Sequence, residues 1–455
     1  MTRNSHDQTA DSREVLILGA GVAGLAAART IAKAGFSVTV LEARDRTGGR
    51  IHTIRDSKLP IPIELGAEFI HGRPPETFDL VKEARLLTCE LPQRHWQIHN
   101  KLLIKSAEFF SELMDVMEGM DEIKDGDLSF RDYLNEYCKN ASDQTKSAAT
   151  MFVEGFNAAD DDTISVRSLV QQNKAEDQID GDRQFRVLNG YDSLVRYLED
   201  DARAAGARII LNSIVKEVRW APNAVSVSVD DNNDTNTLQA RSVVITLPLS
   251  ILQSKPEAKA AVRFVPELPE KTNAMKFLRM GEVLKINLIF REPFWEQVEL
   301  DSKERRESLM DLSFIHASDK TLPTWWTQLP VRTSMLVGWT GGPLAEQGSD
   351  CDDQNIVEDG LTSLSEILRM PKSRIEEFLL SSHFHNWSRD PFTNGAYSYM
   401  TVGGYDAPAE LARPVEDTLF FAGEATNTEG HIVTVHGAIA TGLRAAREVL
   451  ASLGE

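Results

Sequence analysis

Residues 13–50 constrain this chain more than any other stretch. Val15, Leu16, Ile17 and Leu18 form a short apolar run, which predicts a buried strand. It leads into Gly19-Ala20-Gly21-Val22-Ala23-Gly24, and the alanine-rich segment after it predicts a helix that stops at Gly35. A second β-branched run over residues 38–41 ends in Glu42. Strand, Gly-x-Gly-x-x-Gly, helix, strand and terminal acid together make the βαβ fingerprint of a dinucleotide site. Gly19 permits the tight turn. Gly21 lets a pyrophosphate approach the backbone at a helix N-terminus, where free N–H groups and the dipole favour anions. Gly24 lets helix and strand pack closely. Glu42 is placed to accept hydrogen bonds from a ribose diol. At this point NAD, NADP and FAD all remain open.

At 455 residues the chain exceeds one simple core, so two intimately packed domains are expected. The first dozen residues are polar and contain no apolar segment of a secretory leader. No stretch approaches roughly 18 uninterrupted apolar residues, so no membrane partner is expected. The last residues carry neither an apolar anchor nor a peroxisomal tripeptide. Cys89, Cys138 and Cys351 are widely spaced. That pattern fits a reducing, cytoplasmic setting and argues against a disulfide frame or a metal site. The formal charge of −20 disfavours a nucleic-acid partner. It either draws small cations to a cleft or simply confers solubility.

Along the chain, residues 63–72 read as one strand-like run closed by glycine. From Pro75 to about residue 175 the spacing turns helical, with segments at 107–117 and 130–138. Near Phe185 the α/β pattern returns: a helix over 193–204, strands over 208–211 and 214–218, and a buried strand over 242–247 stopped by Pro248. A second sheet is expected from 280–290, 334–339 and 380–387, with a helix over 356–368 between them. A last buried strand ends in Gly423-Glu424, and a helix begins near Val435. Lys285 interrupts an otherwise apolar strand. It either finds a buried partner or snorkels at a sheet edge.

Five blocks then narrow the choice of cofactor. Glu42-Ala43-Arg44-Asp45-Arg46-Thr47-Gly48-Gly49-Arg50 resembles the second motif of the flavin-dependent monoamine and polyamine oxidases. Gly66-Ala67-Glu68-Phe69-Ile70-His71-Gly72 resembles that family's flavin-edge loop, and Leu247-Pro248-Leu249 its mid-chain segment. The stretch 281–290, followed by Phe294-Trp295, resembles its lysine strand. Phe421-Ala422-Gly423-Glu424 with Thr434-Val435-His436-Gly437-Ala438 resembles its C-terminal signature.

The resemblance implies an α/β fold in which a Rossmann-like FAD-binding domain is interleaved with an α+β, mixed-sheet-plus-helices substrate domain. Residues 13–74, 182–260 and 395–455 are expected to bind FAD. Residues 75–181 and 261–394 are expected to bind substrate, and residues 1–12 to be disordered. The implied cofactor residues are Gly19, Gly21, Ala23, Gly24, Glu42, Ala43, Arg44, Gly49, Arg50, Gly66, Ala67, Glu68, Phe69, Val215, Trp387, Gly423, Glu424, Thr434 and Val435. Lys285 would hold a water beside the flavin, where a cation helps electron transfer to dioxygen. Tyr397 falls on one wall of the family's aromatic cage, and Thr434 stands where monoamine oxidases carry a second tyrosine. His71 falls where some polyamine oxidases have a histidine near the amine. Ala396 stands where monoamine oxidases carry the cysteine that binds flavin, so non-covalent FAD is implied. The implied reaction is oxidation of an amine to an imine, hydride passing to the flavin and dioxygen becoming hydrogen peroxide. Polyamine-like substrates are favoured over primary monoamines. An L-amino-acid oxidase, which needs an arginine for the carboxylate, and a non-catalytic flavin scaffold are the alternatives. The oligomeric state is expected to be monomer or homodimer.

Overall fold

The computed structural model describes residues 14–454, apart from 100–101, 106–107, 124–125, 232–233, 302–305, 319 and 350–352. The expected disordered N-terminus, residues 1–12, and Cys351 lie outside the described residues. The first strand, Glu14–Leu18, pairs in parallel with Ser37–Leu41 on one side and Ser242–Ile245 on the other. Arg208–Ile210 and Leu419–Phe421 complete a five-stranded parallel sheet, so three distant sequence blocks meet in it. Both faces are covered, which explains why its strands read as continuous apolar runs rather than alternating ones.

Between its first two strands lies the helix Val22–Lys33, whose small side chains let neighbours approach. A Cβ built on Gly442 would fall 2.2 Å from the Ala23 carbonyl oxygen, which is how the last helix, Val435–Leu453, lies directly on Val22–Lys33. A four-stranded sheet, Asp234–Ala240, Ala224–Asp231, Ser213–Ala221 and Arg263–Val265, packs beside this unit. Its strand Ser213–Ala221 carries a register shift between Val215 and Glu217.

The second large sheet has seven strands, in the order Leu379–Phe384, Val283–Phe290, Met335–Gly341, Thr324–Trp326, Phe314–His316, His95–His99, Leu102–Lys105. Val283–Phe290 is interior and every residue of it is buried. Leu284, Ile286, Leu288 and Phe290 pack on Leu361, Leu364 and Ile367 of the helix Asp353–Leu368. The alternation puts Lys285 and Asn287 on the opposite face, against the segment around Glu64 and Gly66. The sheet-edge alternative for Lys285 therefore falls.

Two local expectations are corrected. The 75–175 region is not purely helical. Thr88–Glu90 pairs with Gln184–Val187, and the hairpin His95–His99 and Leu102–Lys105 joins the seven-stranded sheet, parallel to Phe314–His316. These strands are too short for alternation to stand out, and their partners lie far away in sequence. The run 63–72 is also not one strand: Ile63–Glu64 and Ile70–His71 are separated by a bend. At Gly66 the backbone presses on Arg50, where an added Cβ would sit 2.0 Å from the carbonyl oxygen. The segments expected at 107–117 and 130–138 are the helices Glu108–Gly119 and Phe130–Glu136. The helices Phe130–Glu136, Asp143–Asn157 and Val166–Asp177 follow one another in this region. They are N-capped by Ser129, Ser142 and Ser165, each accepting a first-turn amide.

Candidate active site

A cavity of about 1270 Å³ runs from the parallel sheet to the face of the seven-stranded sheet. All the cofactor and catalytic residues expected from the sequence line it except Gly24. Gly24 stands back because its work is packing: a Cβ there would meet the Gly19 oxygen at 2.0 Å. Gly21 is the opposite case, with nothing within 4 Å of a built Cβ and the cavity in front of it. Gly21 also caps the Val22–Lys33 helix without a side-chain acceptor, so the helix presents its N-terminus to the cavity. Glu42 closes the second strand, and its carboxylate accepts the amides of Ala20 (2.7 Å) and Arg44 (2.9 Å). Burial pushes this carboxyl upward, and the two amides pull it back only in part.

The charged groups around this end are mutually satisfied. Arg44 makes a two-pronged contact with Asp390, at 2.6 and 2.8 Å, and Asp390 also meets His385 at 2.7 Å. Burial alone would raise the Asp390 carboxyl; His385 and Arg44 outweigh it and hold it far below the usual range. Arg50 bonds Glu424 at 2.9 Å and the Ala396 carbonyl at 2.8 Å, while Ser398 Oγ donates to the other Glu424 oxygen at 2.7 Å. Trp387 donates from Nε1 to Leu65 O at 2.9 Å and packs against Gly66. Ala43, Gly49, Ala67, Val215 and Gly423 complete this part of the wall.

Lys285 is buried to 4% exposure and lies 2.7 Å from Glu68 Oε2, with a second donor on Gly66 O at 3.1 Å. The other Glu68 oxygen accepts from Arg186 Nε (2.8 Å) and Trp326 Nε1 (3.1 Å). Burial would raise the Glu68 carboxyl, but Lys285 and Arg186 reverse this and hold it near about 2. Glu68, expected as a cofactor contact, is thus the counter-ion of the lysine. Arg186 and Trp326 were not foreseen, because the partners lie 118 and 258 residues from Glu68.

The third part of the cavity is aromatic. The Tyr397 hydroxyl donates to Phe156 O at 2.8 Å, leaving the ring as a wall; burial raises its pKa well above the ordinary value. Trp339, Phe156, Phe69 and Trp326 complete this part, and only Phe69 was expected. His71 lies edge-on to Phe156 at 5.4 Å, and burial lowers it to about 4, which leaves a neutral imidazole at pH 7. The Thr434 hydroxyl accepts from Gly437 N (3.0 Å) and donates to His431 O (2.7 Å), so it caps the last helix. Val435 begins that helix at the cavity wall.

The sequence pattern of the flavin-containing amine oxidoreductases matches residues 22–450. This chain belongs to that family. Polyamine oxidase 4 of Oryza sativa subsp. japonica is 28% identical over 473 residues, covering 97% of this chain and 89% of its own. Among solved structures, a wild-type putrescine oxidase bound to putrescine aligns with a TM-score of 0.78 at 22% identity, over 96% of this chain and 99% of that one. Cyclohexylamine oxidase from Brevibacterium oxydans IH-35A aligns with a TM-score of 0.77 at 20% identity, over 97% and 99%.

For a flavin amine oxidoreductase the donor set fits. Two helix N-termini, at Gly21 and Val435, reach one cavity, suited to a pyrophosphate and to an electron-rich ring. Gly21 leaves open the space that a side chain would fill. Farther out, Glu118, Asp121, Glu176, Asp177, Asp180 and Asp182 also line the cavity, with Lys174, which pairs with Asp121 at 3.3 Å. These carboxylates were hidden in sequence, since single acids on helices and in polar linkers look like solvated surface. Among the described residues no helix is long and apolar enough to cross a membrane.

Proposed function

We propose that this amine oxidoreductase is an FAD-dependent oxidase that prefers polyamine-like substrates, long or with a secondary nitrogen. One observation carries this reading: dinucleotide glycines, a buried lysine and an aromatic box line one continuous cavity whose far wall is acidic. Bound FAD would take a hydride from the carbon next to the amine nitrogen and pass the electrons to dioxygen, giving hydrogen peroxide and an imine that water hydrolyses to an aldehyde. In this reading Gly19, Gly21, Ala23, Glu42 and Val215 hold the adenosine half of the cofactor. Arg50, Gly66, Glu424 and Val435 flank the flavin half. Lys285 and Tyr397 face the reacting centre. Residues 13–74, 182–260 and 395–455 serve the cofactor, and 75–181 with 261–394 the substrate.

The chain's own residues support the assignment of roles. Neutral His71 can accept a hydrogen bond from an amine N–H. The Tyr397 and Trp339 faces suit a nitrogen that is gaining positive charge. Thr434, engaged in capping, leaves more room than a second tyrosine would. The outer carboxylates suit a second ammonium, and the polyamine oxidase likeness supports the same choice. An L-amino-acid oxidase is disfavoured. Among the described residues the cavity's arginines are Arg44 and Arg50, and both are already bound to carboxylates. Cys89 and Cys138 do not line the cavity, which supports non-covalent FAD. A cytoplasmic setting without nucleic-acid or membrane partners follows from the composition.

Peroxide release from spermine, spermidine, putrescine, aromatic monoamines and L-amino acids tests the assignment. Spermine or spermidine should lead, with rates rising towards alkaline pH as the amine loses its proton. Preference for L-amino acids would overturn it.

A further inference from the structure

The buried trio of Lys285, Glu68 and Arg186 asks for a role beyond structure. Side-chain exposures of 2%, 5% and 9% put two cations and one carboxylate out of water together. Taking such charges out of water is costly unless they are paired and hydrogen-bonded. Glu68 is paired on both oxygens. One oxygen faces Lys285 Nζ at 2.7 Å, and the other takes Arg186 and Trp326. Arg186 is anchored in turn, donating to Thr327 O and Leu329 O at 3.0 Å each. The carboxylate therefore cannot swing. Lys285 donates to the Gly66 carbonyl, faces Glu68 and lines the cavity.

We propose that Glu68 is a positioning residue for oxidation chemistry: braced by Arg186 and Trp326, it holds the Lys285 side chain in one place, at the flavin seat. The inference rests on the flavin oxidase reading above. The groups facing Lys285 are Glu68 from the loop beyond Ile63–Glu64, Glu64 from that strand, and Arg186, across Glu68, from Gln184–Val187. Glu64 is pushed up by burial to about 7, so below that pH it cannot substitute for Glu68 as counter-ion. Without Glu68, Lys285 and Arg186 would be two buried cations without a shared carboxylate to fix their places.

The test uses FAD-loaded enzyme and its Glu68→Gln, Glu68→Asp, Lys285→Met and Lys285→Met/Glu68→Gln variants. The flavin midpoint potential is titrated chemically against pH, with no amine present. Reoxidation by dioxygen is followed over the same range. In Glu68→Gln reoxidation by dioxygen slows roughly 10–100-fold, the effect of displacing one catalytic group, and the midpoint potential moves from the parent's. Glu68→Asp, which draws the carboxylate back by one methylene, slows reoxidation by a smaller step. If Glu68→Gln fails to fold, Glu68→Asp decides alone. Lys285→Met slows reoxidation at least as far, and adding Glu68→Gln to it changes nothing more. Parent-like reoxidation and potential in a folded Glu68 variant, or an effect of Glu68→Gln that persists without Lys285, overturns the proposal. Because the potential is read without substrate, failure of the substrate assignment shows up separately, in the peroxide assay.

Discussion

Two glutamates four positions apart, Glu64 on a strand and Glu68 in the loop after it, face opposite fates. Both are buried, so both start from a penalty on the charged form. At Glu68 two cations reverse it; at Glu64, Thr53 and the Tyr191 amide do not, and the carboxyl rises from the ordinary 4.5 to about 7. The consequences for stability have opposite sign. An unfolded chain ionises Glu64 near 4.5, whereas the folded one holds its proton until about 7. Its contribution is therefore complete below 4.5 and is lost as pH rises towards 7. The Glu68 contribution is complete above 4.5 and is lost as pH falls towards 2. Calorimetry should show Glu64→Gln weakening the fall in unfolding temperature between pH 4.5 and 7, a window set by that rise. A slope equal to the parent's would mean that Glu64 does not hold its proton in the folded state.

At the scale of elements, the site is made by where helices begin and how closely they lie. The glycine turn serves two separate purposes, and substitution separates them. Gly21→Ala places a methyl in open space at an ordinary φ of −70°. The apoprotein should keep its stability within about 0.5 kcal/mol, while cofactor occupancy after purification falls. Gly24→Ala drives a methyl against the Gly19 carbonyl and should cost about 1–3 kcal/mol, seen in denaturant unfolding of the apoprotein. Equal effects of the two substitutions on stability would refute this division. This part of the chain was legible because a βαβ turn is local: strand, glycines, helix and acid all fall within residues 14–42. The hairpin His95–His99 and Leu102–Lys105 was not legible. Its sheet partner, Phe314–His316, enters some 200 residues later, and nothing local distinguishes it from the helical spacing around it.

For the whole molecule, the parallel sheet and the seven-stranded sheet meet across one cavity, and the chain returns to it again and again. Motifs with a fixed local grammar announced their place there: Gly21, Gly49, Gly66, Gly423 and the start of the last helix. Lys285 was legible as a misfit in an apolar strand, but its partner was not, since ion pairing across 217 residues leaves no periodicity. The aromatic wall of Phe156 and Trp339 and the outer carboxylates were hidden for the same reason: each is ordinary in its own segment and meaningful only in company. Cofactor and amine would then share this one cavity. Anaerobic mixing of the purified yellow protein with spermine tests it most directly. Flavin colour should bleach in proportion to added amine, then return on admission of air with release of hydrogen peroxide. Flavin that keeps its colour with spermine, spermidine, putrescine and aromatic monoamines alike would contradict the claim.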